Sequence, residues 1–208
     1  MMKEMKPALF GEFLININGL SGNAFSEWIF HPGMLFGSKL KWWKDEIQFR
    51  HSPHEGLDIV YFMDAHGNIC LAPEMMKVPV MHKGVVIEIS DDDFLGKSIY
   101  VIHKDIIQEN GNILHSIYAH TQPYTNICEG SNLEAGDIIC RVVDFTKTNA
   151  KMTHHIHIST VFLPENFPRK NMNWETMADT SQIILKDPLV FLDINYAIEE
   201  KIPGIESS

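Results

Sequence analysis

Cysteine is scarce in this chain, and what there is does not pair. Only Cys70, Cys128 and Cys140 occur among 208 residues, with no CxxC spacing. A cysteine-built zinc site is thereby excluded, and the apolar runs around the three thiols predict buried, reduced cysteines. Long hydrophobic runs are also missing. No 18 consecutive apolar residues occur, so no membrane-spanning helix is expected. The opening MMKEMKPALFGEFLININ is interrupted by Glu4, Pro7, Gly11 and Glu12 and lacks the apolar core of a secretory signal. A cytoplasmic location is expected on that basis, or a cell-envelope or extracellular one if the chain is a mature or trimmed form. Positive charge is the third shortage: 17 Lys and Arg face 27 Asp and Glu, for a net charge of −10. Phosphate binding needs clustered cations, so nucleic acid is not an expected partner. The densest basic cluster, Lys39, Lys41 and Lys44, is broken by Trp42 and Trp43 and followed by Asp45 and Glu46, which reads as a mixed surface.

What remains is the composition of a globular protein, 45% hydrophobic and 21% charged. A chain of this length buries roughly 70% of its unfolded surface and needs neither disulfide nor metal merely to fold. From about residue 55 to 162 the pattern is β-rich. LDIVYF, KVPVM, GVVIEI, SIYVIH, ILHSIYAH, DIICRVV and HHIHISTVF are short runs of β-branched and aromatic residues, separated by turns such as His66-Gly67-Asn68 and Asn110-Gly111-Asn112. This predicts a mainly β protein, an antiparallel sandwich or open barrel. Residues 1–50 are expected to hold short strands and turns, with one helical turn over Phe25–Phe30 capped by Asn23. Asp187-Pro188 before LVFLDINYAIEE predicts a short C-terminal helix, and IPGIESS a frayed tail.

Eleven histidines stand out, and three of them fall within four residues. In His154-His155-Ile156-His157, strand alternation puts His155 and His157 on one face, able to reach a common centre. In His54-Glu55-Gly56-Leu57-Asp58, the glycine and the following LDIVYF predict a turn into a strand, with Asp58 just inside it. Imidazole and carboxylate are both zinc ligands. In Tyr118-Ala119-His120, alternation puts Tyr118 and His120 on one face. Together the motifs offer two histidines and one carboxylate as candidate ligands, with two histidines to spare. Three protein ligands and one open position describe a catalytic zinc.

These residues resemble the lysostaphin/LytM family of duplicated-hybrid-motif zinc metallopeptidases, whose HxxxD, Tyr-x-His and HxH motifs follow in this order. They stand here as HEGLD at 54–58, YAH at 118–120 and HIH at 155–157. The resemblance covers about residues 50–192. It implies the duplicated-hybrid-motif β fold and Zn2+ held by His54, Asp58 and His157. It also implies His155 as catalytic base and His120 as second catalytic histidine. The implied activity is hydrolysis of peptide bonds in peptidoglycan stem or cross-bridge peptides. Residues 1–49 would then be an N-terminal extension, a lid or part of a groove wall, and 193–208 the helix end and tail. Thr153-His154 before HxH and FTKTNAKMT upstream depart from the family's small-residue pattern, which bears on groove shape.

Two other functions fit less well. A non-hydrolytic peptidoglycan-binding or regulatory module on the same scaffold would not need all three ligands. A sugar-phosphotransfer domain would not need HxxxD. Trp42-Trp43 reads chiefly as core or interface packing, with a groove lining as the other option. Asp91-Asp92-Asp93 reads as a solvated turn. His154 is expected to face away from the centre, and His31, His51, His66, His82, His103 and His115 are given no role.

Overall fold

A computed structural model describes residues 8–23, 25–43, 47–91, 96–145, 152–168, 171, 173, 176 and 183–202. The calls on Asp92 and Asp93, on most of FTKTNAKMT and on the tail from residue 203 lie outside these. Thirteen strands are described among them: β1 Phe25–Phe30, β2 Leu57–Ile59, β3 Tyr61–Asp64, β4 Ile69–Leu71, β5 Lys77–Pro79, β6 Gly84–Asp91, β7 Lys97–Ile107, β8 Ile113–Pro123, β9 Asn132–Leu133, β10 Ile138–Val142, β11 Ile156–Leu163, β12 Leu185–Lys186 and β13 Tyr196–Ile198. The mainly β, antiparallel class read from the sequence is observed. It takes the form of two sheets, neither of them a closed barrel.

The larger sheet runs β12-β11-β8-β7-β6-β9, with β2 paired to β11 and β10 to both β5 and β8. All its pairings are antiparallel. The Asn110-Gly111 signal forms the β7–β8 hairpin. Gly111 takes φ +83° there, a conformation that L side chains rarely adopt. The second sheet runs β13-β1-β3-β4.

Strand β11 is buried along its whole length because both its faces are covered. Ile156, Ile158 and Phe162 enter the main core, while Val161 and Leu163 join a smaller one with Tyr100, Ile117 and Ile183. His157 and Ser159 share the second face with Val161 and Leu163 by strand alternation. The candidate site therefore sits at one end of a face whose remainder is apolar packing.

Three local expectations are corrected. Residues 10–17 form an α-helix, α1 (Phe10–Ile17), in a region read as strands and turns. No side-chain cap marks its start at Leu9; what identifies it is the i, i+4 burial of Phe10 and Leu14. Phe25–Phe30 is a strand rather than a helical turn, because its bulky side chains pair with β3 on one side and β13 on the other. After Asp187 the chain makes only a three-residue 3-10 turn, Pro188–Val190. Asp187 does accept from the Leu189 N–H as a cap, but Tyr196–Ile198 then leaves as a strand parallel to β1. The thiols differ from expectation too: Cys140 is buried, Cys70 half-buried and Cys128 exposed.

Residues 8–43 pack into the same core as the rest, through Phe10, Leu14, Leu20, Trp28, Met34 and Trp42. Among the described residues no helix is long and apolar enough to cross a membrane.

Two buried histidines of the larger sheet make the fold sensitive to acid. Burial pushes His103 down to about 3 and His115 to about 4. Both are therefore neutral in the folded protein and protonate near 6.5 once unfolded. The unfolded state binds more protons between about pH 6.5 and 3–4, so their stabilisation is full above that window and is lost as pH falls through it. Urea midpoints at pH 7, 6, 5 and 4.5 should fall in that order; a flat profile would contradict neutral burial.

Candidate metal and catalytic site

The register of β2 against β11 builds the centre. Asp58 pairs directly with His157 in that antiparallel ladder, so the two side chains rise from the same face as neighbours. His54 reaches the same point from the turn that precedes β2. Gly56 lets that turn lie on β11. A Cβ there would collide with the Ile158 carbonyl oxygen and stand 2.7 Å from Ser159 Oγ and 2.8 Å from His157 Nε2.

The donor atoms converge tightly. His157 Nδ1 lies 2.8 Å from Asp58 Oδ1, and His54 Nε2 lies 3.1 Å from His157 Nδ1 and 3.2 Å from Asp58 Oδ1. Four ligands around zinc at about 2.0–2.1 Å stand about 3.3 Å apart. The observed separations are close to that spacing, and the three residues form a possible metal-binding group.

The outer face of each donor is held. His54 Nδ1 lies 3.2 Å from the Leu35 carbonyl oxygen, and His155 Nδ1 lies 2.9 Å from that of Thr153. A carbonyl only accepts, so both rings carry their proton on Nδ1 and turn an Nε2 lone pair inward. His157 Nε2 meets Ser159 Oγ at 2.9 Å. Asp58 Oδ2 accepts from the Trp42 indole N–H at 2.6 Å. With several acceptor atoms turned toward one another, the arrangement suits a bound cation, and this outer sphere is of the kind that orients metal ligands.

Protonation follows the same logic. Burial would raise the Asp58 carboxyl, but the neighbouring His54 and His155 and the hydrogen bond from His157 hold it well below the ordinary range. Burial pushes His155 down to about 3 despite the opposing pull of Asp58. His157 is lowered as well, chiefly by burial, against its bond to Asp58. A carboxylate and neutral imidazoles are the forms that metals bind.

The two spare histidines flank this set. His155 Nε2 is 3.7 Å from Asp58 Oδ1. Its ring stacks on Phe145 at 5.4 Å between centroids and meets the Trp42 edge at 5.1 Å. The His120 ring lies 4.9 Å from that of His155 and 6.0 Å from that of His157. Regular alternation would have put His120 beside Tyr118, which is buried in the main core and accepts from the Met81 N–H. Instead His120 takes φ +59°, and one extra residue on β8 shifts the pairing with β7 between Ile99–Tyr118 and Lys97–Thr121. This bulge turns the imidazole toward His155 and His157. His154 contacts the Ala72 carbonyl instead of the centre.

The five singled-out residues thus come together, along an open pocket of about 110 Å3 that Trp43, Arg50, Glu55 and Met152 also line. Sequence reasoning missed Arg50, Phe145 and Met152 and did not connect Trp42 to Asp58. The one available signal was that a buried indole N–H needs an acceptor.

No protein-family model matches the chain. No curated protein matches it either. Solved structures do. The chain is similar in fold to lysostaphin/LytM-type peptidases. The antimicrobial peptidase lysostaphin from Staphylococcus simulans matches at 19% identity and TM-score 0.45, over 82% of this chain and 50% of that one. A putative peptidase M23 from Pseudomonas aeruginosa matches at 21% identity and TM-score 0.42, over 79% and 55%. The SpoIIQ–SpoIIIAH pore-forming complex matches at 13% identity and TM-score 0.45, over 100% and 98%. The chain spans about half the length of the lysostaphin chains it matches. At these identities the likeness concerns the fold alone.

The close approach at Gly56 gives a direct test of the geometry. Gly56→Ala should destabilise the protein by about 1–3 kcal/mol, as overpacking does, and weaken any metal binding at this group through displacement of His157. Thermal unfolding and chelator competition would measure the two effects, and a variant equal to wild type in both would refute the contact.

Proposed function

We propose that this chain is a zinc-dependent endopeptidase that hydrolyses peptide bonds in peptidoglycan stem or cross-bridge peptides. The observation that carries the reading is the convergence of His54 Nε2, Asp58 Oδ1 and His157 Nδ1 within 2.8–3.2 Å of one another, with two further histidines beside them. His54, Asp58 and His157 would hold the metal. Zinc, when bound, supplies a Lewis acid that polarises a carbonyl and acidifies a water.

The remaining work falls to the chain's own groups. His155 accepts the water proton at Nε2, whose lone pair is aimed inward by the Nδ1–H bond to Thr153. Phe145 and Trp42 pack on that ring and keep bulk water from it. His120 donates a hydrogen bond to the substrate oxygen as negative charge develops there. Trp43, Met152, Arg50 and Glu55 line the approach, and a pocket of about 110 Å3 favours a small residue next to the scissile bond. Such a substrate assigns the protein to the cell envelope.

Metal analysis of wild type beside His157→Ala tests the site. About one zinc per chain, lost in the variant, is expected of a three-ligand catalytic centre. Digestion of peptidoglycan fragments then tests the chemistry: His155→Ala should keep its zinc and lose about 10²–10⁴-fold in rate. Hydrolysis unchanged in His155→Ala would remove it as the base. Zinc binding without cleavage of any fragment would move the reading to a non-hydrolytic wall-binding module.

A further inference from the structure

The shortest hydrogen bond in the centre comes from outside its three motifs. Trp42, buried at 1% exposure, donates its indole N–H to Asp58 Oδ2 at 2.6 Å. The other oxygen, Oδ1, faces His157 Nδ1 at 2.8 Å and His54 Nε2 at 3.2 Å. One carboxylate thus has two unlike ends, one toward an N–H donor and one toward the ring nitrogens.

The surroundings hold the indole in that place. Gly33 lies against the root of the side chain, since a Cβ there would stand 2.9 Å from the Trp42 amide nitrogen and 3.0 Å from its Cβ. The indole meets the His155 ring at a steep angle, 5.1 Å between centroids. Arg50 adds positive charge near the same oxygen, with Nη2 3.7 Å from Oδ2, beyond hydrogen-bonding range. Arg50 is itself held by the Gly33 and Leu40 carbonyls, each at 3.2 Å, and lies over the Trp43 ring.

A carboxylate binds a metal through one oxygen or both, and that choice changes the coordination number. An oxygen engaged by a short N–H bond is withdrawn from the metal. We propose that Trp42 is a positioning residue for the metal centre: its indole N–H holds Asp58 Oδ2, so that Asp58 offers Oδ1 alone and a position stays open for substrate or water. This rests on the zinc reading above. Residues 31–43 thereby become part of the centre's outer sphere.

The test compares wild type, Trp42→Phe and Trp28→Phe. Trp28 is equally buried in the same core, and its indole nitrogen has no hydrogen-bond partner among the described residues, so it controls for loss of an indole. Zinc affinity is read by competition with a chromophoric chelator, and coordination number by the visible spectrum of the cobalt(II)-loaded protein. Trp42→Phe should bind zinc about 10–100-fold more weakly, as loss of an outer-sphere partner does. Its cobalt bands should weaken as Oδ2 joins the metal. Trp28→Phe should change neither. A Trp42→Phe protein with wild-type affinity and an unchanged cobalt spectrum overturns the proposal and leaves the zinc reading intact. Wild type that takes up no zinc overturns both. Should Trp42→Phe fail to fold, the Trp42 indole proton of wild type decides by NMR. A downfield, slowly exchanging signal that shifts on zinc addition supports the bond, and an ordinary, fast-exchanging one overturns it.

Discussion

Asp58 is a charged carboxylate with 2% of its surface exposed, and the centre is arranged around keeping that charge. An unpaired ion at such a depth costs several kcal/mol. Here the offset comes from Trp42, Arg50 and His157, which approach from the N-terminal segment, the loop before β2 and strand β11. Segments far apart in the chain are thus tied to one side chain. The same arrangement explains the depressed histidines. Burial disfavours imidazolium, so His155 and His157 stay neutral. The carboxylate's inner oxygen is thus left without a full positive charge beside it, which a dication would supply.

The apolar core decides whether these groups meet. Ile156 and Ile158 anchor β11 in the main core, and Ile158 pairs with Tyr118 while His157 pairs with Asp58 and Ala119. A slip of one residue would send His157 into hydrocarbon and Ile158 into the pocket. The donor spacing is therefore a by-product of hydrophobic register. It needs no favourable bond of its own to persist, and a ligand set held this way pays little ordering entropy when a metal binds.

The two routes from sequence to structure differ in reach. Strand alternation in HHIH, the glycine turn of HEGLD and the Asn-Gly hairpin are local, period-two or single-turn signals, and the structure keeps them. Helix α1 carried no cap signal to announce it. Strands β1 and β13 owe their form to each other, although more than 160 residues separate Trp28 from its partner Tyr196. A parallel partner at that distance leaves no mark in a short window. The His120 bulge belongs to the same class: alternation assigns the residue to the core face, and only a left-handed backbone and one extra residue on β8 bring it to the site. The Trp42–Asp58 bond likewise follows from tertiary packing alone.

This bears on how residues 31–43 can act. A lid over a groove opens and closes, yet this segment is bonded to the ligands themselves. The Leu35 carbonyl faces His54 Nδ1, the Ser38 carbonyl accepts from the His54 amide, the Gly37 amide donates to the His54 carbonyl, and Trp42 donates to Asp58. An outward swing would break all four contacts together, releasing the His54 tautomer and Oδ2 of Asp58 at once. Each of these hydrogen bonds is worth about 0.5–1.5 kcal/mol net against water, so such a swing is uphill by a few kcal/mol before any packing is lost. Movement of this segment would therefore disturb the candidate ligands themselves.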